Sequence, residues 1–509
     1  MTIMTNEVFP IILAFVYVLF WLGILEFIGR KEYVAKSNAR KMLHIVLGNI
    51  LFILPLFSSK VLATLIPFVF IPVNYIMSPF SPIKKLQMDT FEAGHSWGTI
   101  LYAISLTIVV WVGFDNPYLF IVSFFPLCYG DGFAALIGSN VKSHNFEIYS
   151  GTKSLLGIWS FIWATFLSII GGLYIFNVMG FESIKIEVIV VSAIIFAVLG
   201  VLIEILSPKG MDNLFIPIIS LGIGFFGKNF ITSISANLNI SVFVWGFIIA
   251  SLFALIGILG KFLTLDGALA GFFIGILIMG VGSWTLGAGL LAFFIVGSLV
   301  TKLNKKSQKD VSFEKSSSQR DSFQALAKAG FASLVAFLSL LYPNNFLIAI
   351  IVIAALGSSL ADTMGTEIGI FSNSTPRYVL KPWKKLQKGE SGAISVVGTI
   401  ASLLSALIFT IFLFGLSLID PSVHERFPIM FLVIIPPASV IGMLFDSIFG
   451  VKLQAQHICQ VCGSKVETKK HCGVETKKYS GFSFFNNDIV NFFATSLGGL
   501  IAGFFFVLV

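Results

Sequence analysis

The chain has 509 residues, of which 56% are hydrophobic and 11% charged, and its formal net charge is +8. A soluble domain carries about 25% charged residues, so this composition excludes a soluble globular protein and requires lipid as the solvent. The positive charge does not indicate nucleic-acid binding, because the basic residues occupy short loops between apolar runs, where membrane topology accounts for them.

The apolar runs predict an all-α polytopic membrane protein with about sixteen transmembrane helices. The first run has no small-residue cleavage site, so we expect a permanent helix. Several runs are shorter than the ~20 residues of a full span, which makes them candidates for re-entrant or paired half-helices. The runs are 8–29, 43–58, 61–78, 98–113, 117–139, 155–177, 187–206, 213–227, 242–263, 266–281, 284–300, 325–342, 346–361, 394–418, 427–448 and 487–508.

The loops predict an orientation. Every second loop is basic, as in 30–42 and 79–97, whereas intervening loops such as 114–116 and 343–345 are short and nearly uncharged. Because Lys and Arg favour the cytoplasmic side, we expect the basic loops in the cytoplasm of a cell-membrane protein and both termini outside.

Polar motifs recur in the same order and at nearly equal intervals along the chain. The recurrence predicts two homologous halves, 1–235 and 236–509, in the same orientation, which is a parallel repeat. The second half carries an insertion with cysteines at about 450–486. The matched pairs are Glu92 and Gln324, Asp131 and Asp362, Ser154-x-x-Gly157 and Ser395-x-x-Gly398, Glu204 and Asp446, and Asp212 and Asp488.

The acids fall where we expect helices to end on one side of the membrane. Carboxylates clustered beside hydrocarbon need a compensating cation, and oxygen ligands suit Mg²⁺, which usually arrives with substrate phosphates. Neighbouring glycines allow close approach of an anion, and Lys153 is a candidate to neutralise phosphate charge. Together they indicate phosphoryl or nucleotidyl transfer. The acids are Asp131, Glu204, Asp212, Asp362, Glu367, Asp446 and Asp488.

Other interpretations remain open at this point. The acids are also typical of an ion-coupled transporter, in which the loop lysines serve only topology. Lys153 could equally be an interfacial lysine that extends its ammonium toward water. Arg40, Lys41 and His44 fit either positive-inside anchoring or substrate-phosphate binding.

Four residues of metal-binding types, three Cys and one His, cluster in the predicted insertion. Cys459 and Cys462 form a Cys-x-x-Cys pair, and His471 and Cys472 follow it. They are candidate ligands for a structural Zn²⁺, and the alternative is a set of reduced surface cysteines.

The motifs also carry a family resemblance over nearly the whole chain. The first half, about 30–225, resembles the dolichol kinase and phytol kinase family through RKMLHIVLG, GDGFAALIG, SGTKSLLG and EILSPKGMDN. Parts of this pattern resemble CDP-diacylglycerol synthase, which binds CTP. The second half, about 245–509, resembles the family containing plant phytyl-phosphate kinase through SSLADTMGTEIG, KGESGAISVVGTIAS and CQVCG…HCG…NNDIVNF.

The resemblance implies a bifunctional prenyl lipid kinase of the bilayer. It would use CTP and Mg²⁺ to phosphorylate a prenyl alcohol such as phytol or geranylgeraniol in the first half, and the resulting monophosphate in the second. A cytidylyltransferase is the alternative enzyme. Lys328 departs from the family pattern, which has Asn there.

The resemblance also implies residue roles. The first site would contain Asp131, Lys153 and Asp212, and the second Asp362, Glu367, Asp446 and Asp488. Asp131 and Asp362 are candidate general bases or metal ligands, and Glu204 is a further metal candidate. The predicted nucleotide-binding residues are Gly130, Gly132, Gly138, Gly151, Thr152, Ser154, Gly157, Gly389, Ser391 and Gly392. The predicted substrate-binding residues are Arg40, Lys41, His44 and Glu92.

Overall fold

The computed structural model divides the chain into two compact units, Met1–Ala236 and Asn237–Val509. The described residues are 2–81, 83–84, 87, 97–141, 143–148, 151–181, 183–208, 210–307, 319–371, 375–386, 392–420, 427–462, 465–466, 470–482 and 484–509. Within them, fifteen helices are long and apolar enough to cross a membrane, and a sixteenth apolar helix, Gly98–Gly113, is shorter. The predicted all-α polytopic membrane fold is therefore confirmed.

The first unit is built from helices and one small hairpin. The most buried of its membrane-length helical segments runs over Pro117–Asn140, and its two α-helical parts flank a π-helical turn at Pro126–Asp131. The helices are α1 (Thr2–Arg30), α2 (Lys36–Gly48), α3 (Lys60–Met77), α4 (Gly98–Gly113), α5 (Pro117–Phe125), α6 (Gly132–Asn140), α7 (Leu155–Val178), α8 (Ile186–Leu206) and α9 (Asp212–Ser235). A 3-10 segment, Asn49–Leu56, continues α2, and β1 (Asn145–Ile148) pairs antiparallel with β2 (Gly151–Ser154).

The second unit packs its helices around α14, which contacts α13, α15, α16 and α17. Its helices are α10 (Ile240–Leu259), α11 (Leu265–Gly275), α12 (Trp284–Ser307), α13 (Ser322–Phe337), α14 (Phe346–Phe371), α15 (Val396–Ser417), α16 (Phe431–Lys452) and α17 (Asn487–Leu508). A π-helical segment, Ile276–Gly282, continues α11, and the 3-10 segment Leu338–Leu340 continues α13.

Short strands connect helices at two places in the second unit. Strand β3 (Arg377–Tyr378) lies between β4 (Lys381–Lys385) and β5 (Ala393–Ile394), before α15. Strand β6 (Gln456–Ile458) lies between β7 (Lys465–Val466) and β10 (Lys477–Ser480), and β8 (Lys470–His471) pairs with β9 (Val474–Glu475). All of these pairs are antiparallel, and they lie in the polar loops rather than in membrane-length segments.

The repeated Ser-x-x-Gly motif forms the same local structure in each unit. Ser154 caps α7 by accepting a hydrogen bond from Gly157 N at 3.1 Å, and Ser395 caps α15 by accepting one from Gly398 N at 3.0 Å. A Cβ on Gly138 would lie 3.1 Å from Gly157 Cα, so α6 and α7 cross closely there. The motif is therefore a helix start combined with a close helix crossing.

Candidate active site

Asp131 lies inside a membrane-length helix rather than at its end. It is the last residue of the π-helical turn and stands nine residues before Asn140, where the helix ends. Asp362 likewise lies within α14, nine residues before Phe371. The expectation that these two acids fall at helix ends was wrong. An interior carboxylate is tolerated because each has a lysine counter-charge.

In the first unit, Lys41 provides that counter-charge. Its Nζ lies 2.5 Å from Asp131 Oδ2, and His44 Nδ1 lies 3.9 Å from the same oxygen. Lys41 and His44 are three residues apart on α2, which places both side chains on the helix face toward the π turn. The Asp131 side chain is only 5% exposed, so this pair is largely shielded from water.

Lys153 forms a second ion pair. It extends from β2 to the Glu204 carboxylate near the end of α8, and Glu204 is buried. Burial favours the neutral amine, but the Glu204 carboxylate outweighs it and raises the pKa of Lys153, with smaller contributions from Asp131 and Asp212. Lys153 is therefore held as a cation within reach of three acids.

Arg40 links the Lys41–Asp131 pair to the start of α9. The guanidinium interacts electrostatically with Asp131 and Asp212. One of its terminal nitrogens also packs against Gly98, because a Cβ added to Gly98 would lie only 2.4 Å from that nitrogen. Among the described residues, Arg40 Nε, His44 Nδ1 and Asn213 Oδ1 are buried without a hydrogen-bond partner. Unsatisfied buried polar atoms on neighbouring elements are typical of a ligand site.

We call this set of charged and polar residues the first polar cluster. Its carboxylates interact with one another electrostatically, and its three carboxylates match its three cations in number. The members are Arg40, Lys41, His44, Asp131, Lys153, Glu204 and Asp212.

An apolar cavity adjoins the first polar cluster. Its polar lining residues are His44, Asn74, Thr99 and Tyr102, and the Tyr102 ring lies 4.6 Å from the His44 ring, measured between centroids. The rest of the lining is apolar: Val18, Leu22, Leu43, Leu47, Ile50, Ile66, Pro67, Phe70, Ala103 and Leu106. An amphipathic molecule could place its apolar chain here and its polar head among the charges.

Several glycines predicted to approach a nucleotide pack closely against neighbouring side chains. A Cβ on Gly130 would lie 2.3 Å from Thr165 Oγ1, and one on Gly132 would lie 2.4 Å from Ile45 Cγ1. Gly392 adopts φ +78° beside Val451. Helix packing and backbone geometry are therefore sufficient reasons for glycine at these three positions. Thr152 is exposed on β2, and Gly151 belongs to the same strand.

The second unit also contains an interior Asp–Lys pair, but its lysine comes from a different helix position and has an additional asparagine partner. Lys328 Nζ lies 2.5 Å from Asp362 Oδ2 and also donates to Asn491 Oδ1. Lys328 comes from α13 and Asn491 from α17, so three helices meet at this ammonium group. The departure from the expected Asn thus supplies the counter-charge of Asp362. We call Lys328, Asp362 and Asn491 the second polar cluster.

The remaining predicted acids lie on adjacent elements of the second unit. Glu367 lies on α14 five residues after Asp362 and interacts electrostatically with Arg320, which precedes α13. Asp446 lies in α16, and Asp488 is in the first turn of α17. Glu92, Gly389 and Ser391, and the side chain of His471, lie outside the described residues.

Sequence reasoning did not assign a site role to four residues that the structure places in or beside these clusters: Asn213, Arg320, Asn491 and Tyr102. Asn213 directly follows the predicted Asp212 at the start of α9, and Asn491 comes three residues after the predicted Asp488 in α17, so proximity in sequence was an available signal. Tyr102 and Arg320 had none, because their places depend on contacts between helices.

The helices define a multi-pass integral membrane protein with charged sites among its helices. The model of the family described as integral membrane protein DUF92 matches residues 248–499. Protein PGR of Arabidopsis thaliana is 30% identical over 269 residues, which are 49% of this chain and 91% of PGR. The chain therefore belongs to the DUF92 family of integral membrane proteins.

Two further relatives are similar over a large part of their length. A phytol kinase of Synechocystis sp. is 27% identical, and the match covers 40% of this chain and 84% of that protein. The chloroplastic protein VTE6 of Arabidopsis thaliana is 26% identical, with 49% of this chain and 68% of VTE6 covered. No solved structure matches the chain.

Proposed function

We propose that this protein is a membrane-embedded kinase that phosphorylates a prenyl alcohol at the first polar cluster. The observation that carries the proposal is the apolar cavity opening beside His44, next to three cations and three buried or partly buried carboxylates. This combination suits a substrate with a long apolar chain and a reactive hydroxyl. The similarity to a protein named phytol kinase supports the same class of substrate.

In this proposal the prenyl chain occupies the cavity and its hydroxyl points to Asp131. The hydroxyl oxygen attacks the terminal phosphorus of a nucleoside triphosphate, its proton passes to the Asp131 carboxylate, and the bond to the leaving nucleoside diphosphate breaks. Lys41 holds Asp131 in place, while Arg40 and Lys153, the other two cations of the cluster, would stabilise the phosphate charge. Positioning and electrostatics supply most of the rate in such reactions.

The first polar cluster also fits a divalent cation. Asp131 and Asp212 interact electrostatically, and the buried Asn213 Oδ1 has no hydrogen-bond partner among the described residues. Carboxylate and amide oxygens are the ligand atoms that hard cations prefer. Asp212 and Glu204 are the residues that would hold Mg²⁺, which neutralises charge on the phosphates when bound, and Asp131 would join them if another group accepted the proton.

The finer proposal assigns a second phosphorylation to the second unit. Here Lys328, Asp362 and Asn491 would receive the prenyl monophosphate, and Arg320 and Glu367 lie on the adjoining elements. The donor we propose is CTP, and the product is the diphosphate. The match of the DUF92 model to residues 248–499, which lie in the second unit, supports a separate activity there.

The test uses the purified full-length protein in detergent with phytol, Mg²⁺ and CTP labelled at the γ-phosphate. We expect label in a lipid product whose mass increases by one phosphate and then by a second. Release of pyrophosphate with cytidine monophosphate on the lipid would instead show a cytidylyltransferase. Substrate uptake into proteoliposomes without nucleotide consumption would show a transporter. Either of these results would overturn the kinase proposal.

A further inference from the structure

Three thiols of the second unit converge in the loop between α16 and α17. The sulfur atoms of Cys459, Cys462 and Cys472 all lie within 4.8 Å of one another, and each cysteine is free of a disulfide. Cys459 is buried, whereas Cys462 and Cys472 are exposed. The nucleotide and lipid sites proposed above use none of them.

Local strand geometry brings the thiols together. Cys459 directly follows β6, and Cys462 lies in the turn that comes next. Cys472 comes from a separate hairpin, where His471 pairs with Val474 and leaves a two-residue turn between β8 and β9. The convergence therefore involves two independent hairpins rather than one Cys-x-x-Cys turn.

The backbone at Cys472 is held in a conformation that a cysteine rarely adopts. Its φ is +51° and that of Gly473 is +76°, so both turn residues are left-handed. Such a two-residue turn favours Asn-Gly or Gly-Gly, and a left-handed cysteine costs energy. This conformation brings the Cys472 sulfur within 4.8 Å of the sulfurs of Cys459 and Cys462.

The spacing of the sulfurs fits a tetrahedral metal. With a metal–sulfur distance of about 2.3 Å, tetrahedral thiolates stand about 3.8 Å apart. Sulfurs already within 4.8 Å need only a small adjustment to reach that geometry. Soft thiolate ligands select Zn²⁺ over the hard cations that suit carboxylates.

We propose that Cys459, Cys462 and Cys472 bind one Zn²⁺ that fastens the ends of α16 and α17 together. The loop already joins these ends, because Ala455 N donates to Phe485 O at 2.8 Å and Phe482 N donates to Leu453 O at 2.9 Å. Helix α16 carries Asp446 and α17 carries Asn491, which accepts from Lys328. The metal would thus stabilise the helix ends that carry part of the second polar cluster.

The experiment measures metal in full-length protein purified in detergent without chelator. We expect about one zinc per chain, and strong loss in Cys459→Ser/Cys462→Ser/Cys472→Ser. Cys128→Ala is the matched control, because Cys128 lies in the first unit, and it should keep its zinc. Equal zinc in the triple variant and the wild type would overturn the proposal.

Two further measurements remain informative if the triple variant fails to fold. In the wild-type protein, three additional thiols should react with a thiol reagent once a strong chelator is added. The single variant Cys462→Ser, at an exposed position, should bind zinc more weakly than the wild type. A disulfide among these cysteines in protein prepared under reducing conditions, or thiol reactivity unaffected by chelator, would contradict a zinc site. None of these readouts requires kinase activity, so the result is independent of the proposed function.

Discussion

Lysines at different positions neutralise Asp131 in the first unit and Asp362 in the second. Lys41 reaches Asp131 from α2, whereas Lys328 reaches Asp362 from α13 and also bonds Asn491. The sequence marked Lys328 only as a departure from a family pattern. Its role was not predictable, because the contact joins helices that lie far apart in the chain. The predicted acids and Lys153, in contrast, could be identified from residue type and spacing alone.

The Lys153–Glu204 pair allows a prediction at this scale. Lys153→Ala leaves Glu204 as a buried carboxylate without its lysine, and removal of one partner of a buried pair costs about 3–5 kcal/mol. Since the Lys153 side chain keeps 26% exposure, we expect the lower end of that range. Thermal unfolding in detergent measures the loss.

The double variant Lys153→Ala/Glu204→Gln is the control for this prediction. Because it removes the charge from both positions, it should recover much of the lost stability. If the single and double variants unfold at the same temperature, the ion pair does not contribute in the way the structure implies.

At the scale of single elements, the apolar runs predicted most helix positions well. The prediction at 155–177, for example, corresponds to α7 at Leu155–Val178. The π turn at Pro126–Asp131 was not predictable, because hydropathy over a window does not distinguish an α-helical turn from a π-helical one. The expectation for Asp131 failed for a different reason: the helix continues past it to Asn140, so the carboxylate lies inside the segment rather than at its end. Several of the predicted glycines, such as Gly130 and Gly138, pack closely against neighbouring helices, and their nucleotide binding stays a prediction.

The crossing of α6 and α7 provides the second prediction. Gly138→Val would place a side chain 2.7 Å from Ser154 Oγ and 3.1 Å from Gly157 Cα, measured from the Cβ position. Overpacking of this kind costs about 1–3 kcal/mol. We expect a lower unfolding temperature, measured in the same detergent as for the wild type.

Gly171→Ala is the matched control, since it lies within α7 and no atom stands within 4 Å of its Cβ position. Alanine also favours the helix, so this variant should be as stable as the wild type or slightly more stable. Equal destabilisation by both variants would show that the effect does not arise at the crossing.

For the whole molecule, composition predicted the membrane environment and the loop charges predicted an orientation. The fold class is confirmed, while the orientation stays a prediction, because position in a bilayer depends on surroundings that a chain's internal contacts do not specify. The contacts between side chains within each polar cluster could not be predicted from residue spacing, because those residues meet only after several helices have packed together.

The third prediction tests that orientation. In otherwise cysteine-free protein, Asp115→Cys lies in a loop predicted to be outside, and Lys384→Cys lies in one predicted to be cytoplasmic. A membrane-impermeant maleimide applied to intact cells should label Asp115→Cys alone. Both should react after permeabilisation. Labelling of Lys384→Cys in intact cells would contradict the predicted topology.

The most direct test of the central claim compares Asp131→Asn with Asp362→Asn. Each purified variant receives CTP and Mg²⁺ with either phytol or phytyl phosphate, and the phosphorylated lipid is quantified. We predict that Asp131→Asn loses phosphorylation of the alcohol but retains that of the monophosphate, and that Asp362→Asn shows the reverse. Wild-type rates on both substrates in both variants, each shown to be folded, would contradict the account.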